Sequence, residues 1–296
     1  MDIKVSIITI NYNGLADTCA LIDSIAFNDS VEVIVVDNAS QNDEATAIEH
    51  RCPHVRVIRS QENLGFAGGN NLGIKAARGK YLYLINNDTV LKRSSTLQPL
   101  INRLESSEKI GIVCPKIRFA WDDSPIQYAG FTPLSSITMR NRSIGIGEED
   151  RGQYNTAGPT PYAHGAAMMV KREAMEKVGL MPECYFLYYE ELDWSMMFTR
   201  AGYDIWYEPA ATIYHKESQT TGQSSPLKTY YLTRNRLLFA KRNAGGTAKY
   251  LTYAYLIALS GTKDIVKTIV TGRLSHAKAT VQGLYDFMFN HTAKKR

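Results

Sequence analysis

The feature that most restricts the fold of this chain is a series of apolar runs before residue 86, each followed by polar side chains. The runs KVSIITINYN, VEVIVVDN, VRVI and KYLYLI alternate with segments of helical periodicity, such as TCALIDSIA and GGNNLGIKAA. Branched and aromatic side chains favour strands, and near-continuous apolar runs are typical of strands buried on both faces of a parallel sheet. The pattern therefore predicts a doubly wound α/β fold.

Three of these predicted strands end in side chains that can bind a ligand. Asn11 and Asp37 close the first two strands, and Asn86, Asn87 and Asp88 follow the run YLYLI. In open α/β sheets, ligands bind beyond the carboxyl ends of the strands. We therefore expect these polar ends to converge on one crevice.

The second half of the chain has a different pattern. From GIVCPKIRF to about residue 160 the sequence is irregular, which predicts loops and short strands. HGAAMMVKREAMEKVG then predicts a strand and a helix ending at Gly179, and YFLYYEELDWSMMFTRAGY a strand, a loop and a helix ending at Gly202. DIWYEPAATIYH predicts two short strands, and the remainder predicts consecutive helices.

Composition places the chain among ordinary globular proteins, with 44% hydrophobic and 21% charged residues among 296. Its four cysteines form no C-x-x-C pair, and no run of 18 apolar residues occurs. These features exclude a zinc ribbon and a disulfide framework, and they predict a cytoplasmic protein. We expect no nucleic-acid partner.

Charge is concentrated at the C-terminus. From Arg234 onward, 12 lysines and arginines stand against two acidic residues, whereas the whole chain has a net charge of +5. A basic tail with amphipathic helices is typical of contact with an anionic membrane surface. Packing on the rest of the chain or on a second copy, as a homo-oligomer, explains the same pattern, and the sequence leaves these alternatives open.

Six short motifs, taken in order, resemble those of family 2 glycosyltransferases of the GT-A fold, in particular the bacterial rhamnosyltransferase-like branch. They are TINYNG (residues 9–14), VVDNAS (35–40), NLGFAGGNNLGI (63–74), NND (86–88), EELDW (190–194) and HKES (215–218). Together they span roughly the first 220 residues, which makes the series far more specific than any single motif.

The resemblance implies a Rossmann-like, mostly parallel sheet flanked by helices that binds a nucleotide diphosphate sugar. It assigns nucleotide-sugar binding to Thr9, Asn11, Asp37, Asn63, Gly68, Asn71, Asn86, Asn87, Gly165 and Arg234. Asp37 is placed to accept a hydrogen bond from a pyrimidine imide, or else to begin a turn and cap the next helix. The glycines at 65, 68 and 69 either let the backbone approach a ligand or make a tight turn.

The resemblance also implies a divalent cation. Asp88 occupies the place of the last acid in the family's D-x-D motif, where it would ligate Mn²⁺ or Mg²⁺ bridging the two phosphates. Asn86 replaces the first acid, so one negative charge is lost. His215, after ATIYH, is the position where many relatives complete the metal site.

An acidic cluster supplies the candidate catalytic base. If Glu190 begins a helix, Glu190 and Asp193 share a face and Glu191 points about one hundred degrees away. The resemblance aligns Glu191 with the base of the family's E-D pair and Asp193 with the following acid. Glu191 has the longer side chain in place of the usual Asp, so both residues remain candidates.

These assignments predict two regions. Residues 1–225 form the catalytic domain, with a nucleotide-binding half of about 1–115 and an acceptor half of about 116–225, and residues 226–296 form a helical extension. The expected activity is inverting transfer of a sugar from a UDP- or dTDP-sugar, with dTDP-rhamnose as one candidate. The acceptor is a hydroxyl of a glycan or lipid-linked glycan in cell-surface polysaccharide synthesis. The alternative is an inactive module that only binds sugar nucleotides. A dinucleotide-dependent oxidoreductase is disfavoured, because Ala67 interrupts the G-x-G-x-x-G motif that such enzymes carry.

Overall fold

The computed structural model describes residues 3–91, 96–121, 123–216 and 225–290. The strands are β1 (Val5–Asn11), β2 (Val31–Asp37), β3 (Arg56–Arg59), β4 (Tyr81–Ile85), β5 (Thr89–Val90), β6 (Ile110–Phe119), β7 (Ile126–Tyr128), β8 (Gly158–Pro159), β9 (Ala167–Lys171) and β10 (Asp204–His215). The helices are α1 (Leu15–Asp23), α2 (Glu44–Arg51), α3 (Gly65–Ala76), α4 (Leu97–Glu105), α5 (Arg172–Val178), α6 (Glu190–Arg200), α7 (Pro226–Asn243), α8 (Ala248–Ala254), α9 (Thr262–Val270) and α10 (Leu274–Met288). A π-helical segment, Tyr255–Gly261, joins α8 to α9.

The strands form one sheet in the order β3-β2-β1-β4-β9-β6-β10-β5, with β7 beside β6 and β8 beside β10. The first four neighbours are parallel, as are β6 and β10, whereas β9 runs antiparallel between β4 and β6. The predicted α/β class is confirmed, and the sheet is mixed. The register sets Asn11 opposite Asp37, so the two polar strand ends do meet.

Two predicted details are wrong. Residues 185–189 form a loop instead of a strand, because Phe186, Tyr188 and Tyr189 have φ values of 70°, 68° and 77°, which no strand contains. DIWYEPAATIYH forms one strand, β10, since a register shift between Glu208 and Thr212 accommodates the proline within it.

Two apolar clusters fill the interior. The larger lies between the sheet and its flanking helices and includes Ile7, Val35, Leu84 and Trp194. The smaller consists of Met139, Tyr185, Tyr189, Leu237, Phe239, Ala240, Leu256 and Leu284. The second cluster combines residues from both sides of position 225, so α7 and α10 pack directly on the loop that leads into α6.

Glycines let α3 lie close against β1. A Cβ at Gly69 would lie 2.8 Å from Ile10 Cδ1, and one at Gly73 would lie 2.4 Å from Ile8 Cγ2. The two glycines are four residues apart and so share one helix face. This face packs on the strand whose end carries Asn11, and it fixes the separation between helix and sheet at the edge where ligands bind.

We expect Gly73→Ala to lower the free energy of unfolding by about 1–3 kcal/mol, because overpacking outweighs the gain in helix propensity. Urea unfolding followed by circular dichroism measures the change. Gly245→Ala is the matched control, since a Cβ at Gly245 meets no described atom within 4 Å, and it should change stability by less than about 0.5 kcal/mol. Equal stability of both variants would show that the helix has room to shift.

Candidate active site

A cavity of about 670 Å³ opens at the carboxyl ends of β1 and β4. Seven residues predicted for the site line it: Asn63, Asn86, Asn87, Asp88, Gly165, Glu191 and His215. Its walls also contain the aromatic side chains Tyr12, Phe66, Phe131, Phe186 and Tyr188. A mostly apolar concavity with a few convergent polar groups is the usual form of a small-molecule site.

Thr9, Asn11 and Asp37 lie outside the cavity lining, in contrast to the prediction. Successive strand residues point to opposite faces, so Ile10 and Tyr12 face the cavity and Asn11 turns away. Asn11 Nδ2 donates to Asp37 Oδ1 at 2.9 Å and to Glu44 Oε2 at 2.8 Å. Ser40 Oγ donates to Asp37 Oδ1 at 2.6 Å. In this conformation Asp37 fixes the turn after β2, which is one of the structural roles given above; the expected cap of the next helix is wrong, because Asp43 caps α2.

Gly68 and Asn71 also have structural contacts. A Cβ at Gly68 would lie 2.7 Å from Leu64 Cβ, so this glycine lets the first turn of α3 close. Asn71 is buried, donates to the Met181 carbonyl at 2.8 Å and accepts from the Met181 N–H at 3.1 Å. Asn71 therefore holds the segment after α5 against α3, while Asn63 faces the cavity.

Asp88 directly precedes β5, and His215 is the last residue of β10. The two strands pair at this point, with His215 opposite Thr89, so Asp88 and His215 meet. His215 Nδ1 lies 2.8 Å from Gln127 Oε1, an oxygen that only accepts, so Nδ1 carries the proton. His215 Nε2 lies 3.0 Å from Asp88 Oδ1, where a protonated ring forms an ion pair with the carboxylate and a ring protonated on Nδ1 alone presents a lone pair. Asp88 Oδ1 is buried and has no hydrogen-bond partner among the described residues.

With His215 neutral this arrangement fits a cation, because a carboxylate oxygen and an imidazole nitrogen that converge on one point are common ligands of divalent metals. Asp88 and His215 would be the protein ligands, and Asn86 Nδ2 lies 3.5 Å from the same nitrogen. No group of three acidic, histidine or cysteine side chains that suits a metal occurs in the described ranges, so a cation there would need further ligands from substrate or water. Glu217 and Ser218 of the HKES motif lie outside the described residues.

Glu190 and Glu191 begin α6 and face the cavity. Burial raises the pKa of Glu191 above its ordinary 4.5, and burial together with the neighbouring Glu191 raises the pKa of Glu190 well above that value. Glu190 Oε2 has no hydrogen-bond partner in the described part of the chain. Two adjacent carboxyls with different pKa values allow one to hold a proton while the other accepts one.

Asp193 differs from Glu191 in its surroundings. It is 1% exposed and accepts hydrogen bonds from Tyr185 Oη at 3.0 Å, from Asn243 Nδ2 at 2.8 Å and from Arg242 Nε. Both carboxylate oxygens are therefore already bound, and the side chain joins α6 to α7 away from the cavity. Of the two candidate bases, only Glu191 lines the cavity.

Arg234 also lies away from the cavity. It is 4% exposed, donates from Nη2 to the Tyr185 carbonyl at 2.6 Å and lies 5.0 Å from the centre of the Tyr231 ring. Arg236 donates to Tyr189 Oη at 3.1 Å. The positive side chain that lines the cavity is Lys228, in the first turn of α7. Its signal in the sequence was the helix start SPLK, where Ser225 accepts from the Lys228 N–H at 3.1 Å.

His164 is a second wall residue that the motif analysis did not assign. Its Nδ1 accepts from the Ala166 N–H at 3.1 Å, which leaves the proton on Nε2. Burial, with a smaller contribution from His215, lowers the pKa of His164 to about 3. The cavity wall therefore has a neutral imidazole across the neutral pH range.

The loop before α6 is strained, and two neighbouring side chains of α7, Arg234 and Asn235, bind its carbonyls. Positive φ values at bulky residues such as Phe186, Tyr188 and Tyr189 cost on the order of 1–3 kcal/mol each. Asn235 Nδ2 donates to the carbonyls of Tyr185 at 3.0 Å, Leu187 at 2.6 Å and Tyr188 at 3.0 Å. Asn235 is 0% exposed, so this clamp sets the path of the chain into Glu190 and Glu191.

With this geometry in place, comparison with known proteins gives the family. The model described as Glycosyl transferase family 2 matches residues 6–179, more than half of the chain. The protein belongs to glycosyl transferase family 2, as its motif series predicted.

Individual relatives agree with this assignment. The chain is 26% identical over 301 residues to the low-salt glycan biosynthesis hexosyltransferase Agl10 of Haloferax volcanii, covering 98% of this chain and 92% of that protein. It is 24% identical over 221 residues to the N-acetylglucosaminyl-diphospho-decaprenol L-rhamnosyltransferase of Mycobacterium tuberculosis, covering 68% of this chain and 71% of that one.

A solved structure supports the fold. The mannosyltransferase PcManGT from Pyrobaculum calidifontis, in complex with GDP-Man and Mn²⁺, aligns with a TM-score of 0.61 at 14% identity. The alignment covers 98% of this chain and 88% of that one. The predicted GT-A architecture with a helical C-terminal region is thereby confirmed.

We expect Asn235→Ala to lower the free energy of unfolding by about 2–4 kcal/mol, because the carbonyls of Leu187 and Tyr188 in a strained loop lose a side-chain donor. Chemical denaturation measures this change. Asn102→Ala is the control, since Asn102 is exposed on α4, and it should have an effect below about 0.5 kcal/mol. If both variants unfold at the same denaturant concentration, Asn235 does not hold the loop.

Proposed function

We propose that this protein is an inverting glycosyltransferase that moves a sugar from a UDP- or dTDP-sugar to a hydroxyl of a glycan or lipid-linked glycan. The observation that carries the proposal is one cavity that combines a candidate base, Glu191, with a candidate cation pair, Asp88 and His215. The family membership and the hexosyl- and rhamnosyltransferase activities of the two relatives support sugar transfer.

The two parts of the site lie close together in the fold. The Asn86 N–H donates to the Ala166 carbonyl at 2.9 Å, which joins the end of β4 to the segment that begins with His164 and Gly165. A Cβ at Gly165 would lie 3.7 Å from Glu191 Cγ. A side chain at position 165 would therefore occupy cavity space beside Glu191, and glycine leaves that space open.

The cavity suits a nucleotide diphosphate sugar. Its volume lies within the usual range for small-molecule sites, and Tyr12 and Phe66 offer flat surfaces near the strand ends. Lys228 supplies a positive charge for the diphosphate. Asp37 has Oδ2 left for its proposed role toward a pyrimidine imide, since Oδ1 is bound to Asn11 and Ser40 while Oδ2 has only a 3.4 Å contact with the Ser40 N–H.

Asp88 and His215 would hold Mn²⁺ or Mg²⁺. When bound, such a cation neutralises negative charge that develops on the leaving nucleoside diphosphate. Asp88 and His215 orient the diphosphate end of the donor, and Lys228 adds a second positive charge on the same side.

Glu191 performs the proton transfer in this proposal. Its carboxylate removes the proton of an acceptor hydroxyl while that oxygen forms a bond to the anomeric carbon. The bond from this carbon to the diphosphate oxygen breaks on the opposite face, and the leaving group keeps the electron pair. The configuration is therefore inverted, and Glu191 is left protonated.

The alternative is a module that binds sugar nucleotides without catalysis, which Asn86 in place of an acid favours.

We place the active protein in the cytoplasm, because four separate cysteines suit a reducing compartment. No helix within the described ranges combines the length and the apolar composition needed to cross a bilayer. The identity of the donor sugar, for which dTDP-rhamnose is one candidate, follows from comparing turnover with different donors.

Asp88→Ala should abolish the Mn²⁺-dependent part of UDP or dTDP binding, because it removes a charged ligand from the candidate cation pair. Isothermal titration calorimetry with and without Mn²⁺ measures this difference. Asp23→Ala is the control, since Asp23 is 58% exposed in its side chain and pairs with the surface residue Arg51. Retention of the full Mn²⁺ effect in Asp88→Ala would rule out Asp88 as a ligand.

Glu191→Gln should keep donor affinity and lower turnover by about 10²–10⁴-fold, the usual contribution of a general base. In the wild type, activity should fall as the pH decreases through a pKa above 4.5, since burial raises the pKa of Glu191 and only its ionised form accepts the proton. Nucleoside diphosphate release with a panel of donors and acceptors measures both effects.

Asp193→Asn is the matched control for Glu191→Gln. It should mainly lower stability, because Asp193 is hydrogen-bonded on both oxygens outside the cavity. Selective loss of turnover in Asp193→Asn, with normal stability, would transfer the base role to Asp193. Turnover that is absent in the wild type with every donor would favour the binding module.

A further inference from the structure

Exposed apolar side chains are concentrated in the last helices. Of the fifteen large hydrophobic residues that are exposed among the described residues, eleven lie within residues 250–289. Monomeric proteins rarely expose contiguous apolar surface without a partner, whereas scattered single residues are normal. The remaining four, Phe27, Trp121, Ile137 and Ile146, are scattered along the chain.

The exposed residues form stripes along two helices. On α10, Leu274, Val281, Tyr285 and Met288 follow one another by seven, four and three positions, so they share one face. The opposite face of α10 is buried, with Gly283 packed against the Tyr230 carbonyl of α7. On α9, which has no buried residues, Val266, Ile269 and Val270 form a second stripe.

Positive charges are interspersed with these stripes. Lys263 and Lys267 lie on α9, Arg273 in the following turn and Lys278 on the exposed face of α10. The two acids of this part are Asp264 and Asp286, of which Asp286 is buried and accepts from Tyr230 Oη at 2.7 Å. The surface is therefore apolar and net positive. The basic residues 294–296 lie outside the described residues.

The turn between α9 and α10 lies at the cavity end of α7. His276 Nδ1 is 2.8 Å from Thr229 Oγ1, and Thr229 is adjacent to Lys228, which lines the cavity. We call residues 267–274 the α9–α10 tip. Within it, Val270 is 79% and Leu274 58% exposed.

We propose that the α9–α10 tip inserts into the headgroup layer of an anionic lipid bilayer and brings the cavity to the membrane surface. Alternating basic and apolar side chains fit such a surface, because lysine and arginine bind anionic headgroups while apolar side chains enter the acyl boundary. A second copy of this chain would have to bring equal positive charge against this face. The inference rests on the proposed function only in the use of a lipid-linked acceptor.

Co-sedimentation with vesicles tests the proposal on the full chain without donor or acceptor. We expect binding to phosphatidylglycerol vesicles at low salt, and binding at least tenfold weaker to phosphatidylcholine vesicles or at high salt. Absence of binding to both vesicles would overturn the proposal.

Two variants locate the contact. Val270→Ser with Leu274→Ser, and separately Lys267→Glu with Arg273→Glu, should each weaken vesicle binding by more than about tenfold. The control pair Ile137→Ser with Ile146→Ser alters exposed residues outside this region and should bind as the wild type does. Thermal unfolding and nucleoside diphosphate binding check that each variant is folded. Wild-type binding by both tip variants would overturn the assignment of the tip.

Sedimentation velocity addresses the competing occupant. If the wild type is a dimer without lipid and the tip variants are monomers that bind vesicles normally, the face joins two copies and the proposal is wrong. The proposed function is tested separately. If the protein binds vesicles but releases no nucleoside diphosphate, the enzymatic function is wrong and the membrane contact stands. If the protein turns over a soluble acceptor but does not bind vesicles, the membrane contact of the α9–α10 tip is wrong and the enzymatic function stands.

Discussion

The arrangement of the site depends on the hydrogen bonds that the side-chain amide of Asn235 donates to the loop before α6. This amide binds three carbonyls of a loop in which three aromatic residues have positive φ. Each hydrogen bond contributes only about 1 kcal/mol, but together with the buried contacts of the smaller apolar cluster they offset the backbone strain. The loop directly precedes Glu190 and Glu191, and Asn235 belongs to α7. The position of these two acids therefore depends on α7. The C-terminal helices therefore help to shape the candidate site, whichever residue marks the boundary between the two regions.

Electrostatics explains why the cavity suits a charged, cation-bearing ligand. Glu190, Glu191 and Asp88 all face it, and burial raises the pKa of both glutamates. Asp88 Oδ1 and His215 Nε2 lie 3.0 Å apart, a separation that either a proton on the imidazole or a bound cation stabilises. In the proposed reaction, Glu191 is the carboxylate that accepts the proton of the acceptor hydroxyl.

The sequence predicted most of the nucleotide-binding half because its signals are local. Apolar runs placed β1, β2, β3 and β4, and the topological rule for parallel strands placed their polar ends together. The rule does not say which way each side chain points, and so Thr9, Asn11 and Asp37 were assigned to a cavity that Ile10 and Tyr12 face instead. Residues 185–189 read as a strand because their aromatic content favours one. The prediction failed there because the backbone is held by Asn235, a contact 47 to 50 positions away.

By itself, the sequence determined the alternation of strands and helices, the family and the residues Asp88, Glu191 and His215 as candidates, since each depends on local pattern and motif order. Only the tertiary structure decided which acid faces the cavity. Asp193 and Glu191 are equivalent in the sequence, but Asp193 is bound by Arg242 and Asn243 from α7, and Glu191 is not. It also replaced Arg234 with Lys228 as the positive wall residue, because burial against Tyr231 takes Arg234 out of reach. These decisions depend on contacts between distant segments, which no local pattern of the chain contains.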